Sequence, residues 1–291
     1  MTSFDAVAWI RRRLNARKAG HCGTLDPDAA GVLPVCVGAA TGIAGYLADS
    51  RKTYRVEAAC GLLTDTLDIS GAVLDRKTCA MPDRNRFESA LKSFLGEGEQ
   101  APPMYSAVKV NGQKLYKLAR KGVSVERSPR PITIYSLDTV LYENDRVIFD
   151  VACSKGAYIR SLCRDLGEKL GIYLCVSFLL RTSAAGLRLE DALTVDIIEK
   201  RALEGEAQSM LIPADTMLGG YPKIELSAGE YTLFMNGAAV GMEERRIGAE
   251  KGKMDVNTPV KVYGNDRFLG LGSFIIDGCG AAKLRVKKFL I

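Results

Sequence analysis

A chain of 291 residues with 47% hydrophobic and 25% charged side chains has room for about two domains and the composition of an ordinary globular protein, which excludes the disordered and fibrous classes. Its longest apolar stretch, residues 29–40, is broken by Gly31, Pro34 and Gly38 and falls short of the ~20 residues of a membrane helix, so no segment is expected to span a bilayer. A net charge of +6 suits a polyanionic partner without requiring one.

Thr2-Ser3-Phe4-Asp5 reads as a capping box, and Val7, Ile10 and Leu14 follow at helical spacing, so the chain opens on a helix. Arg11, Arg12 and Arg13 come after the apolar residues of that helix, the reverse of a secretory signal, which makes the cytoplasm the expected address. A strand is predicted over 54–58, ending at Gly61, and the acidic run Thr64-Asp65-Thr66-Leu67-Asp68 leads through a turn or loop to Gly71. Phe87, Leu91, Phe94 and Leu95 form a second helical stripe. Pro102-Pro103 imposes an extended stretch, and residues 109–121 follow as a loop or short helix with exposed lysines. Strands are predicted over 130–134 and 147–151. A helix then carries Ile159, Leu162, Cys163, Leu166 and Leu170 on one face and stops at Gly171. Strands and helices in this order predict an α+β domain. After Tyr221-Pro222 the pattern becomes β-rich, with a hairpin of 260–263 and 268–276 across Gly264-Asn265-Asp266. The expected division is therefore 1–221 and 222–291. The tail alternates Leu284, Val286 and Phe289 with Lys283, Arg285, Lys287 and Lys288, as an edge strand protected from aggregation would.

Most motif chemistry is excluded. Gly96-Glu97-Gly98-Glu99-Gln100-Ala101 matches a dinucleotide fingerprint in letters only, since it follows a helical stripe and runs into two prolines. No phosphate-loop signature occurs. Eight cysteines without a Cys-x-x-Cys pair, and a single histidine, argue against a disulfide framework, a zinc site and a catalytic triad. What remains is carboxylate chemistry. Asp26 is held extended by Pro27 and flanked by Gly23 and Gly31, although an Asp-Pro step in a loop also serves as a turn or cap. Ser154-Lys155-Gly156-Ala157-Tyr158-Ile159-Arg160 joins a strand to a helix and suits a phosphate, or is an ordinary connection with solvated charges. Tyr54, between Lys52 and Arg55, offers either a stacking face or a core ring.

Together these segments resemble the bacterial TruB family of tRNA pseudouridine synthases. The likeness runs through Gly20-His21-Cys22-Gly23-Thr24-Leu25-Asp26-Pro27, Gly31-Val32-Leu33-Pro34, Lys52-Thr53-Tyr54-Arg55-Val56, Pro102-Pro103-Met104-Tyr105-Ser106-Ala107-Val108-Lys109 and the segment ending at Arg160, and it weakens from about Thr182. The resemblance implies a catalytic domain with a mixed, mainly antiparallel sheet and a small β-rich PUA-like RNA-binding domain from about Pro222. It implies that Asp26 is the catalytic aspartate, that Arg160 pairs with it, that Tyr54 stacks on the target base, and that His21, Tyr158 and Leu179 line the RNA or base site. The implied reaction is cofactor-free isomerisation of a T-loop uridine of tRNA (position 55) by base flipping. The implied partner is the tRNA T-arm, bound by a monomer with no protein partner. Cys22, Ala30 and Leu180 depart from the family pattern, where threonine or serine, threonine, and arginine are usual. The family also has a strand ending in Lys-Pro-x-Gly ahead of the position where this sequence starts, so an N-terminal truncation is expected. Two other readings stay open: a guide-RNA-dependent synthase sharing Leu25-Asp26-Pro27, and a non-catalytic RNA-binding protein.

Overall fold

The computed structural model describes residues 1–241 and 258–290, and no helix among them is long and apolar enough to cross a membrane. The chain forms two compact units, one of Met1–Ser3, Gly23–Pro34 and Ala48–Ala192, the other of Phe4–Cys22, Val35–Leu47 and Leu193–Ile291.

The first unit is built on a seven-stranded sheet. Its path runs Leu187–Arg188, Leu174–Ala184, Lys52–Cys60, Arg146–Cys153, Arg130–Tyr142 and Gly96–Gln100, all antiparallel, while Ala30–Gly31 adds to Leu174–Ala184 in parallel. Lys52–Cys60 lies inside the sheet with Tyr54, Val56 and Ala58 buried, the alternation expected of a strand with one face on a core. Tyr54 stands in register with Val151 on one neighbour and Arg181 on the other. The helices Arg84–Lys92 and Ile159–Leu170 supply Phe87, Leu91, Leu162 and Leu166 to the same core as Val56, Phe149 and Val151. Burying apolar side chains of this size contributes about 1.5–3 kcal/mol each, so this contact fixes the helices to the sheet. Asp83 caps the first helix by accepting from the Arg86 amide at 2.9 Å, and Gly171 ends the second in the left-handed conformation at φ 75°.

Four strands of this sheet lie outside the sequence expectation: the short Ala30–Gly31 and Leu187–Arg188, and two longer ones. Gly96–Gln100, the false dinucleotide fingerprint, is the terminal strand, paired with Arg130 to Ile134. Leu174–Ala184 is the longer omission, and it carries the parallel contact to the Asp26 loop, with Leu180 opposite Ala30 and Arg181 opposite Gly31. A Cβ on Gly31 would stand 2.2 Å from the Arg181 carbonyl oxygen, so only glycine lets the two backbones meet.

In the second unit the helix Ser3–Arg13, all but its first residue, accompanies a short hairpin of Ala19–His21 with Val35–Val37. The Cys22 and Cys36 thiols lie 3.4 Å apart and buried, and none of the described cysteines is joined in a disulfide. The C-terminal part forms a five-stranded sheet in the order Lys223–Leu226, Pro259–Gly264, Arg267–Ile276, Ala282–Phe289, Val240–Gly241. The expected hairpin turns at Asn265 and Asp266, both with positive φ (53° and 58°), the geometry that matches strand twist in a two-residue turn. Phe234, Val260, Val262, Leu269 and Leu284 fill its core. Ala282–Phe289, expected as an edge, is covered at Lys283 and Leu284 by Val240–Gly241.

Candidate active site

The loop carrying Asp26 is held by groups that reach its backbone. Ser3, expected only as part of a helix cap, turns its hydroxyl to Leu25, donating to the carbonyl at 3.0 Å and accepting from the amide at 2.8 Å. That pair of bonds fixes the peptide immediately before Asp26. Arg181 donates to the carbonyls of Gly23, Thr24 and Val32.

The Asp26 carboxylate meets Arg160 as a fork, with Nε donating to Oδ2 at 2.8 Å and Nη2 to Oδ1 at 3.1 Å. Two parallel bonds from a guanidinium are the strong form of this interaction and also fix the carboxylate plane. Arg160 itself is only 5% exposed, at the start of the helix Ile159–Leu170. Its remaining capacity goes to the carbonyls of Thr66 (2.8 Å) and Tyr105 (3.0 Å), and Asp68 flanks it at 3.6 Å. A buried guanidinium needs all of its donors satisfied, and this one is held from four sides. The start of its helix is set by Gln100, whose side chain accepts from the Tyr158 amide at 2.7 Å and donates to the Tyr158 carbonyl at 3.1 Å.

The acidic run that sequence reads as a turn or loop is therefore part of the site. Within it Asp68 accepts from the Thr66 hydroxyl at 2.7 Å and from the Ser70 amide and hydroxyl, and Asp65 accepts from the Tyr105 hydroxyl at 2.8 Å. These bonds aim the Thr66 carbonyl and the Asp68 carboxylate at Arg160.

A pocket opens beside this pair, lined by Asp26, Asp28, Ala29, Asp68, Ile69, Val176, Phe178 and Leu179 among others. The Asp26 side chain keeps 35% of its surface, so the carboxylate that Arg160 orients is also open to the pocket. Ile69 and Phe178 are exposed large apolar residues, giving the rim a nonpolar character next to the carboxylates of Asp26, Asp28 and Asp68. Of the residues singled out from sequence, Asp26, Arg160 and Leu179 are brought together here. Tyr54 is buried in the adjoining core, and burial pushes its phenol up to about 12 against the opposing charge of Arg181. Tyr158 is half-buried, its phenol raised chiefly by burial, and the charges of Asp26 and Arg160 both act on it. His21 lies in the second unit, paired with Val35. In the segment considered for phosphate, Lys155 pairs with Asp49 at 2.6 Å and Arg160 turns to Asp26. Among the described residues no group of three histidine, cysteine or carboxylate side chains is arranged to hold a metal ion.

Residues Asp68, Ser3 and Arg181 were not singled out from sequence. The one signal for Asp68 was the acidic run ending at Gly71. A carboxylate oriented by a buried arginine and open on a pocket can act as a nucleophile or as a base.

Residues 11–159 match the TruB family pseudouridylate synthase (N terminal domain). The chain is 47% identical over 238 residues to the tRNA pseudouridine synthase B of Alkaliphilus oremlandii, covering 81% of this chain and 78% of that one. It is 40% identical over 290 residues to the tRNA pseudouridine synthase B of Clostridium perfringens strain SM101, covering 99% and 96%. Among solved structures it is similar in fold to a chain of an H/ACA RNP bound to a substrate RNA containing 2′-deoxyuridine, with a TM-score of 0.72 at 21% identity, covering 100% of this chain and 82% of that chain.

Proposed function

The chain belongs to the TruB family of pseudouridylate synthases, an isomerase family, and on that premise we propose that it converts the T-loop uridine at position 55 of tRNA to pseudouridine through Asp26. The observation that carries this reading is the Asp26 carboxylate, held in a fork by buried Arg160 while still open to a pocket. Arg160 provides a permanent positive charge that orients the carboxylate. The apolar rim of Ile69 and Phe178 suits the face of a base withdrawn from its stack.

In the reaction the N1–C1′ bond breaks, the uracil turns in place, C5 bonds to C1′, the C5 proton leaves and N1 takes up a proton. No redox equivalent or energy source is consumed. Asp26 either adds to C1′ or removes the C2′ proton, and both routes need its ionised carboxylate. Extruding the base costs a few kcal/mol, which aromatic stacking at roughly 1–3 kcal/mol per base offsets, and we assign that face to Tyr54. His21, Tyr158 and Leu179 are assigned to the RNA and base contacts, and the β-rich region 222–291, with its basic last strand, to tRNA binding outside the reaction centre. The enzyme would act on the T-arm as a cytoplasmic monomer without guide RNA or protein partner. Identities of 40–47% to bacterial proteins named tRNA pseudouridine synthase B, against 21% to the H/ACA RNP chain, favour this over a guided synthase.

Asp26→Asn tests the reading, because it keeps the side-chain shape and removes the charge. Pseudouridine formation in a T-loop RNA should vanish while RNA affinity at fixed salt stays within about threefold. Substantial product from the Asn variant would sink the mechanism.

A further inference from the structure

Arg181 is the largest completely buried side chain in the molecule's described core, and it lies in the strand Leu174–Ala184. Burying a guanidinium is costly, and a fold usually compensates it with a carboxylate. Here no carboxylate among the described residues lies within 4.0 Å of it. Its donors go to main-chain carbonyls instead: Nε to Val32 at 2.7 Å, Nη1 to Thr24 at 3.2 Å and Nη2 to Gly23 at 3.2 Å. Gly23 and Thr24 are the inbound arm of the Asp26 loop, and Val32 is the outbound arm. The Arg181 main chain grips the same loop again, since its carbonyl accepts from the Val32 amide at 2.9 Å and its backbone leaves no room for a Cβ on Gly31. In register beside it stands Tyr54, whose hydroxyl lies against the same guanidinium.

One side chain thus touches both arms of the loop that presents Asp26 and the strand that presents Tyr54. Arg160 fixes the head group of Asp26, but a head group fixed on a loop free to slide would not hold a constant distance to the base. A register shift in the pairing between Arg181 and Ser183 marks the place where the strand departs from regular alternation, and such irregularities re-aim side chains.

We propose that Arg181 is a positioning residue for the isomerisation, tying both arms of the Asp26 loop to the Tyr54 strand so that carboxylate and ring keep one spacing. This rests on Asp26 being the reacting carboxylate. An apolar residue of similar volume would fill the space but remove the donor from all three carbonyls, the buried one of Val32 and the part-buried ones of Gly23 and Thr24. A lysine, with one nitrogen, could serve the inbound or the outbound arm but not span them.

The experiment compares Arg181→Lys and Arg181→Met with the wild-type chain in three measurements: the single-turnover rate at saturating T-loop RNA, the RNA dissociation constant, and amide hydrogen exchange. Since a misplacement of about 1 Å can cost about 10²-fold, the Met variant should lose about 10²-fold in rate and the Lys variant about 10-fold, with affinity within about threefold. Amides of residues 23–32 should exchange at least about tenfold faster while those of the helix Ile159–Leu170 are unchanged. A folded Met variant within about threefold of the wild-type rate, or one whose affinity falls by the same factor as its rate, overturns the proposal.

Should Arg181→Met fail to fold, Gly23→Ala decides. Gly23 has φ +114°, and an added Cβ would stand 3.3 Å from the Lys52 Cε, so the change displaces the inbound carbonyl while keeping Arg181. A rate lowered with affinity retained supports the clamp, and an unchanged rate refutes it. If the wild-type chain itself made no pseudouridine, the proposed function would fall, and the exchange comparison would still decide whether Arg181 holds the loop.

Discussion

Replacing Arg160 by alanine removes two hydrogen bonds to Asp26, at 2.8 and 3.1 Å, two to the carbonyls of Thr66 and Tyr105, at 2.8 and 3.0 Å, and the charge flanking Asp68. At about 1.5–3 kcal/mol for each charge-assisted bond the sum would be about 6–12 kcal/mol, which overstates the loss because water replaces part of it. Asp26 is 35% exposed and Asp68 18% exposed, so both can be rehydrated once the arginine is gone. Removing one member of a fully buried pair costs about 3–5 kcal/mol, and discounting for that exposure leaves about 2–4 kcal/mol. At about 2–4 °C per kcal/mol for a unit of this size, the thermal midpoint should drop by roughly 4–16 °C. Arg160→Lys keeps the charge but loses the planar fork, and its single nitrogen reaches one carboxylate oxygen at a time. Loss of a preorganised charged donor costs about 10²–10³ in rate, expected in full for alanine and at about a tenth of that for lysine. The assay is single-turnover pseudouridine formation at saturating T-loop RNA, with the melting curve of each variant taken in the same buffer. Equal rates for wild type, Arg160→Lys and Arg160→Ala would remove Arg160 from the mechanism, and a melting loss with no rate loss would leave it a purely architectural residue.

Two further outcomes test the surroundings. Burial raises the Tyr54 phenol from 10.0 to about 12, so the neutral ring's contribution is fully present below pH 10 and is lost as pH rises through 12. Two pH units at ~1.36 kcal/mol each bound that loss at about 2.7 kcal/mol, so Tyr54→Phe should lose less stability than wild type between about pH 9 and pH 12 in urea titrations, and parallel losses would contradict the burial argument. Neutralising Arg285, Lys287 and Lys288 together should weaken tRNA binding and reduce the slope of log affinity against log salt by roughly 2, whereas an unchanged slope would leave those charges the edge-protecting role.

Three adjacent strands of the seven-stranded sheet, Lys52–Cys60, Arg146–Cys153 and Arg130–Tyr142, and the two helices packed on it were legible because local pattern and tertiary role agree. Ile159–Leu170 has a clean apolar stripe and a glycine stop, and the turn at Asn265-Asp266 carries its own chemistry. Leu174–Ala184 was not legible. It is flanked by strands on both sides, shifts register twice and buries an arginine, so the two-residue alternation that betrays a strand is lost. Gly96–Gln100 hides for another reason, since glycine and glutamate are poor strand formers and only its pairing with Arg130 to Ile134 makes it one. At the site, Asp26 and Arg160 could be picked out through their motifs, but their supports could not. Thr66 and Tyr105 act through carbonyls, which every residue has, and Ser3 gives a capping signal while its hydroxyl works 22 residues away.

The parallel contact between the Asp26 loop and the sheet also couples two positions beside that loop. Ala30 and Leu180, two of its three departures from the family pattern around the loop, are register partners on adjacent strands. Both are apolar here and meet next to Gly31, the glycine that admits no side chain. The two positions face each other across one parallel register, so the energetic effects of Ala30→Thr and Leu180→Arg are expected to be non-additive, each depending on the residue opposite.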